Sequence, residues 1–269
     1  LYGGEPIAKQ LEALRRGAHI VVGTPGRVLD HLGRGTLRLD WLQTVVLDEA
    51  DRMLDIGFEE DINRILQHTP PERQTVLFAA TMPSPIRNLV KRYLSNPQWI
   101  LVGAESEPVV EVEQTYYEVA SADKLKGLHE LLKAYKDGQT LIFCRTRSRV
   151  DRLVGSLLRL GYEALAIHGG MRQNQRNTAM NAFRNGRLKL LVATDVASRG
   201  IDIPEISYII NYDIPQTLEE YVHRIGRTGR MGRHGTAATF VSEWELDDFK
   251  PIRSRVGNKL QQRKLAIYA

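Results

Sequence analysis

TVVLDEADRML, residues 44–54, runs from three apolar side chains directly into three carboxylates, Asp48, Glu49 and Asp51, within four positions. A short apolar run bounded by polar residues reads as a buried strand of a parallel sheet, which puts Asp48 at its carboxyl end. Ligands of open α/β sheets gather in the crevice outside those ends. Carboxylates this close repel one another, so something positive holds them, either a bound cation or the N-terminal dipole of the next helix. A helix cap accounts for one or two of the acids; a cation accounts for all three.

Outward from this stretch the pattern repeats. HIVVG (19–23), TVLFAA (75–80) and WILVG (99–103) read as further strands, with helical stretches such as Pro6–Arg16 and Gly57–Leu66 between them. The segment 103–114, GAESEPVVEVEQ, is polar and acidic with a proline, as a linker would be. Alternation then resumes with QTLIFC (139–144), EALAIH (163–168), KLLVAT (189–194), SYIINY (207–212) and TAATFV (236–241), with helices expected at Lys124–Ala134 and Arg149–Leu160. Strands alternating with helices imply α/β architecture with parallel sheets. Two such sets imply two domains, at 1–102 and 113–245, joined by a linker at 103–112 and followed by a basic extension at 246–269.

Charge divides unevenly. Residues 1–112 carry 12 basic and 15 acidic side chains, residues 113–250 carry 20 and 17, and the last 19 residues carry five basic and no acidic ones. A basic second half and tail suit a polyanion such as nucleic acid, though a solvated basic surface has the same signature. The tail itself reads equally as a packed short helix or a trailing basic segment. The opening LYGGEPIAKQ lacks the shape of a signal peptide, no run is long enough to span a bilayer, and Cys144 is the sole cysteine. An intracellular, cytoplasmic setting is the expectation. Cys144 closes an apolar run and reads as a core thiol, His168 reads as structural, and the seven histidines show no zinc spacing.

DEAD at 48–51, TPGR at 24–27, ATDVASRGID at 193–202 and HRIGRTGR at 223–230 occur in the order and at the spacing of the DEAD-box ATP-dependent RNA helicases, which this chain resembles up to about Val241. The resemblance implies two RecA-like parallel-sheet domains, the first incomplete at its N-terminus, with ATP between them and RNA across both. It implies that Asp48 helps hold Mg²⁺ through water and that Glu49 orients or deprotonates the attacking water. Asp51 becomes a coupling residue, bonding towards Ala79, Ala80 and Thr81 and towards His223 or Arg224. Arg227 and Arg230 become arginine fingers on the γ-phosphate, a task suited to a planar, permanently charged fork. In isolation the same HRIGRTGR stretch reads as an exposed basic loop. Asp202, with Gly200, is assigned to the ATP site. RNA contacts fall by resemblance to Gly3, Gly4, Thr24, Pro25, Gly26, Arg27, Arg145, Gln173, Arg176, Thr194 and Gly200, most of them groups that let a chain approach a phosphate backbone.

The sequence departs from the family pattern twice. No G-x-x-x-x-G-K-[ST] phosphate loop occurs in these 269 residues. The expectation is therefore that this chain alone binds ATP poorly and hydrolyses it negligibly, and that residues 1–102 present an unpaired sheet edge and part of an apolar face. The motif usually read Ser-Ala-Thr is Ala79-Ala80-Thr81 here. One lost neutral hydrogen bond costs about 0.5–1.5 kcal/mol, so folding survives while coupling suffers, and Ala79→Ser should raise unwinding per ATP in the complete enzyme. A non-catalytic RNA-binding or regulatory module is the competing reading. A dinucleotide-binding enzyme is disfavoured, because no G-x-G-x-x-G follows the first strand.

Overall fold

Apolar runs become strands in this molecule where a neighbouring strand takes up their backbone hydrogen bonds. The computed structural model describes residues 1–101, 112–135, 138–195, 206–229 and 234–268. The chain divides into two units, Leu1–Glu105 and Ser106–Ala269.

In the first unit, α1 (Ile7–Arg15) and α2 (Pro25–Gly33) precede β1 (Thr44–Leu47). Then α3 (Ala50–Asp55) and α4 (Glu59–Gln67) lead to β2 (Gln74–Leu77), and α5 (Ser84–Tyr93) follows. The two strands pair in parallel, Val46 opposite Val76 and Leu47 opposite Leu77, with the helical crossover that parallel pairing requires. Leu47 joins Ala50, Ile62, Leu66, Ile86, Leu89 and Val90 in a core. Its neighbour Val46 faces the opposite side and is 55% exposed.

Two expected strands are corrected. Residues 19–23 and 99–101 lie outside any strand, and Ile20, Val22, Ile100 and Leu101 are exposed. Val102 and Gly103 lie outside the described residues. The 19–23 run has apolar strand character, but its backbone is engaged by a single residue: the Leu1 amine donates to Val22 O, and Leu1 O accepts the Thr24 N–H at 2.9 Å. One such contact makes no ladder. Val46, Phe78, Trp99 and Ile100 are exposed.

The second unit contains β3 (Val112–Glu118), α6 (Lys124–Ala134), β4 (Gln139–Phe143), α7 (Arg147–Arg159), β5 (Ala164–Ile167), α8 (Gln173–Arg184) and β6 (Leu190–Ala193). It continues with β7 (Ile206–Asn211), α9 (Leu218–Ile225), β8 (Gly235–Val241), α10 (Leu246–Val256) and β9 (Leu260–Gln262). Among the described residues its sheet has seven parallel strands in the order β5-β6-β4-β7-β8-β3-β9. Successive side chains alternate faces. Leu141, Phe143, Leu191 and Ile209 pack with residues of α8, α9 and α10, whereas Ile142, Val192, Ile210 and Phe240 pack with those of α6 and α7. Burial on both faces explains why these strands read as uninterrupted apolar runs.

The stretch from 246, expected as a basic extension, is a folded part of this unit. Phe249, Ile252 and Val256 recur at helical spacing and are buried, and β9 joins the sheet with Leu260 opposite Gln114. The apolar stripe beneath the basic residues holds the segment down. No helix among the described residues is long and apolar enough to cross a membrane. Cys144 is buried, and desolvation pushes its thiol pKa well above the usual range.

Candidate active site

The first unit places its acids at the turn between β1 and α3. Asp48 and Glu49 are both exposed there, and Asp48 Oδ1 accepts the Glu49 N–H at 3.0 Å. Glu49 adopts φ 49°, ψ 46°, the left-handed region that costs a non-glycine residue about 1–2 kcal/mol. Asp51 differs: it is 5% exposed, and its Oδ2 accepts both the N–H of Thr81 at 2.8 Å and its hydroxyl at 3.0 Å. Its Oδ1 takes the Arg52 N–H at 2.9 Å. Ala50 N–H donates to Phe78 O at 2.9 Å, so the exit of β2 is clipped to the start of α3 at two points. Ala79 and Ala80 lie on this clipped segment, and the hydroxyl that reaches Asp51 is that of Thr81. Asp51 thus keeps its partners without a serine at position 79.

The glycine pair and the TPGR stretch form one patch. Thr24 N–H donates to Leu1 O, Arg27 Nη1 to Glu5 O at 3.2 Å, and Gln10 Nε2 to Tyr2 O at 3.1 Å. Gly3, Gly4, Thr24, Pro25, Gly26 and Arg27 are brought together by these bonds. Gly4 sits at φ 83°, and the space around Gly3 and Gly26 is open. Thr24 precedes Pro25 at the N-terminus of α2, where backbone amides favour an anion. Beneath the patch, fully buried His31 meets Thr36 Oγ1 at 2.9 Å and Gln10 Oε1 at 3.4 Å. Burial lowers the His31 pKa, with nearby Arg27 and Arg34 adding to the effect against the opposing pull of Asp30. Gln10 and His31 were missed from sequence; their signal was a polar residue on the inward face of each amphipathic helix.

In the second unit, HRIGRTGR begins on α9. Arg224 is 2% exposed and points into its own domain. Its Nε and Nη2 grip Asp195 at 2.6 and 2.8 Å, Nη1 reaches Asn211 Oδ1 and Asp213 O at 3.1 and 2.8 Å, and Nη2 also reaches Glu220 at 3.1 Å. These five bonds engage the Arg224 guanidinium within its own unit. Burial raises the pKa of Glu220, while the Arg224 hydrogen bonds hold that of Asp195 down against the same burial effect. His223 is half-buried on the same helix. Arg227, also half-buried, lies in the turn beyond it, its N–H donating to Arg224 O at 3.1 Å. Thr228 anchors that turn through Oγ1 to Ile206 O at 2.5 Å, and a Cβ on Gly235 would lie 2.4 Å from the same hydroxyl. Arg230, Gly200 and Asp202 lie outside the described residues.

Thr194 follows β6, buried, its N–H donating to Ile167 O at 3.3 Å. Gln173 and Arg176 share the first turn of α8, Nη1 to Oε1 at 3.4 Å. His168 is held structurally, between Asp151 Oδ1 at 2.9 Å and the Gly170 N–H at 3.1 Å. Arg145 follows β4, its side chain 42% exposed and its N–H bonded to Asp213 Oδ2 at 3.0 Å. Sequence reading missed Asp195, Asp213 and Glu220, although Asp195 and Asp213 each follow an apolar strand just as Asp48 does.

Among the described residues, no group of three His, Cys, Asp or Glu side chains is placed to hold a metal ion. Asp48 and Glu49, exposed acids at a strand end, suit a divalent cation that keeps most of its waters and takes phosphate oxygens, as Mg²⁺ does.

Comparison with known proteins agrees across both units. The family described as DEAD/DEAH box helicase matches residues 1–89, and that described as helicase conserved C-terminal domain matches residues 123–232. A DEAD-box ATP-dependent RNA helicase CshA of Geobacillus kaustophilus is 46% identical over 98% of this chain, which covers 56% of that protein. The chain spans about half the length of the curated relatives it matches. Among solved structures, S. cerevisiae Dbp5 bound to RNA and ADP BeF3 is similar with a TM-score of 0.86 and 34% identity, over 93% of this chain and 67% of that one. A DEAD box protein from Methanococcus jannaschii is 40% identical over 98% of this chain and 71% of its own, with a TM-score of 0.55.

Proposed function

This chain belongs to the DEAD-box RNA helicase family and carries two RecA-like α/β domains, and we propose that it forms part of an ATP-dependent RNA helicase in which ATP hydrolysis drives local opening of an RNA duplex. The observation that carries this reading is the pair Asp48 and Glu49, exposed at a strand end, with Glu49 in a costly left-handed backbone. Such strain persists where a function uses it. A non-catalytic RNA module has no need of either feature.

Asp48 would hold Mg²⁺, and Glu49 orients the attacking water or takes its proton. Mg²⁺ contributes neutralisation of the charge that builds on the phosphate oxygens. Arg227 and Arg230 stabilise the same charge from the second domain, and Asp202 with Gly200 positions the nucleotide. Asp51, clipped to Thr81 beside Ala79 and Ala80, relays the state of the nucleotide, with His223 as its counterpart in the second domain. Gly3, Gly4 and Thr24–Arg27 grip RNA from the first domain, and Arg145, Gln173, Arg176, Thr194 and Gly200 grip it from the second. Contacts of this kind hold sugar and phosphate and read no sequence; a 2′-hydroxyl contact separates RNA from DNA.

The chain alone is expected to turn over ATP negligibly, since its 269 residues contain no G-x-x-x-x-G-K-[ST] phosphate-loop sequence. Titrating the purified chain with labelled single-stranded RNA at several salt concentrations, alongside an ATPase assay, tests both parts. Salt-dependent RNA binding with negligible turnover is expected. Absence of RNA binding at low salt overturns the RNA assignment, and robust RNA-stimulated turnover overturns the ATPase deficiency.

A further inference from the structure

Five charges meet at the carboxyl ends of β4 and β7, and four of them belong to residues outside the motifs described above. Lys124, at the start of α6, is 1% exposed, a rare condition for a lysine unless it is paired. Its Nζ lies 2.6 Å from Glu245 Oε2 and 3.1 Å from Tyr212 O, with Asp213 at 4.0 Å. Glu245 Oε2 also accepts the Ser242 N–H at 3.0 Å and its hydroxyl at 2.5 Å. Asp213, 5% exposed, pairs with Arg149 Nε at 2.9 Å and accepts the Arg145 N–H. Three cations therefore face two carboxylates, Asp213 buried and Glu245 half-buried, leaving one positive charge in excess.

The excess falls on Arg145. Glu245 is taken up by Lys124, so Arg145 Nη2 stands 3.6 Å from Oε1, beyond a good hydrogen bond, and 3.5 Å from Ile214 O. The Arg145 backbone is fixed through Asp213 while its guanidinium remains 42% exposed. We propose that Lys124 is a positioning residue for the RNA contact of Arg145: by occupying Glu245, Lys124 keeps the guanidinium from being drawn inward and leaves it to phosphate. The inference rests on the RNA-gripping role of Arg145 proposed above.

Charge accounting and simple structural support predict opposite signs, which makes the proposal testable in the 269-residue chain. With single-stranded RNA, Lys124→Met frees Glu245 to pair with Arg145. It should lower the slope of log affinity against log salt by about 0.7, the loss of one phosphate contact on a single strand, and weaken binding about two- to fivefold. Glu245→Gln should bind RNA as tightly as the unmodified chain or more tightly. The double variant Lys124→Met/Glu245→Gln, which removes one charge of each sign, should restore the slope. An unchanged slope in Lys124→Met, or a double variant that stays as low as the single one, overturns the proposal. If Lys124→Met fails to fold, Glu245→Gln decides, because weakened binding there contradicts the charge accounting. Failure of the unmodified chain to bind RNA overturns the functional reading itself and this inference with it.

Discussion

Acids stand at the carboxyl ends of parallel strands in both units, and the two units treat them oppositely. In the first, Asp48 and Glu49 follow β1 into solvent, with a left-handed backbone at Glu49. In the second, Asp195 and Asp213 follow β6 and β7 and are met by Arg224 and Arg149. Position at a strand end thus nominates a residue for chemistry but does not assign it. What separates a reactive acid from a scaffold acid is whether the fold supplies its counter-charge. The first pair is the one proposed above to meet an external cation; the second set is already neutralised by the chain.

Replacing Arg224 should break this contrast most severely. Arg224→Ala leaves Asp195 and Glu220 partly buried without their cation, a loss of about 3–5 kcal/mol in the second unit, measured as a fall in its urea midpoint. Asp51→Ala should come next, removing the carboxylate that clips Thr81 to α3. A cost of about 1.5–3 kcal/mol to the first unit should appear as faster proteolysis near residues 78–84. Glu49→Gly should act in the other direction. A glycine relieves the left-handed backbone and should stabilise the first unit by about 1 kcal/mol while removing the acid proposed to serve hydrolysis; destabilisation would mean that the side chain has a structural role.

The smallest effect concerns pH. Burial lowers the pKa of His31, so the folded state disfavours its protonation. Between that lowered value and the ordinary value of about 6.5, the unfolded chain binds more protons. Stability of the first unit therefore rises with pH through this window, is lost as pH falls through it, and levels off below it. His31→Gln should flatten the profile, and an unchanged profile would remove His31 from the account.

Much of this contrast was legible in the sequence, and the rest was hidden for identifiable reasons. QTLIFC, KLLVAT and SYIINY announce strands because both faces of their sheet are covered, so apolar residues run consecutively at their centres. HIVVG and WILVG have the same composition, yet residues 19–23 and 99–101 form no strand. Composition reports what a strand wants to bury; it does not report whether a neighbour is there to pair. The site shows the same limit. Asp48 and Glu49 were located correctly at a strand end because the apolar run stops at Leu47. The buried network around Arg224 went unread because its motif was weighed for its charges and not for the phase of the helix it begins on. Tyr221 and Ile225 mark the inward face of α9, and Arg224 shares it, so the signal was available. Lys124 gave less warning: nothing in the first residue of an amphipathic helix tells whether its ammonium turns towards solvent or towards a glutamate 121 positions away.

The distinction between reactive and scaffold acids is tested most directly by neutralising one of each, Asp48→Asn and Asp195→Asn. Native-state hydrogen exchange then reads the cost at the amides of β1 and β6. The account predicts a change within about 0.5 kcal/mol for Asp48→Asn and a loss of about 3 kcal/mol or more for Asp195→Asn. Equal costs at the two positions, or a larger one at Asp48, would contradict it.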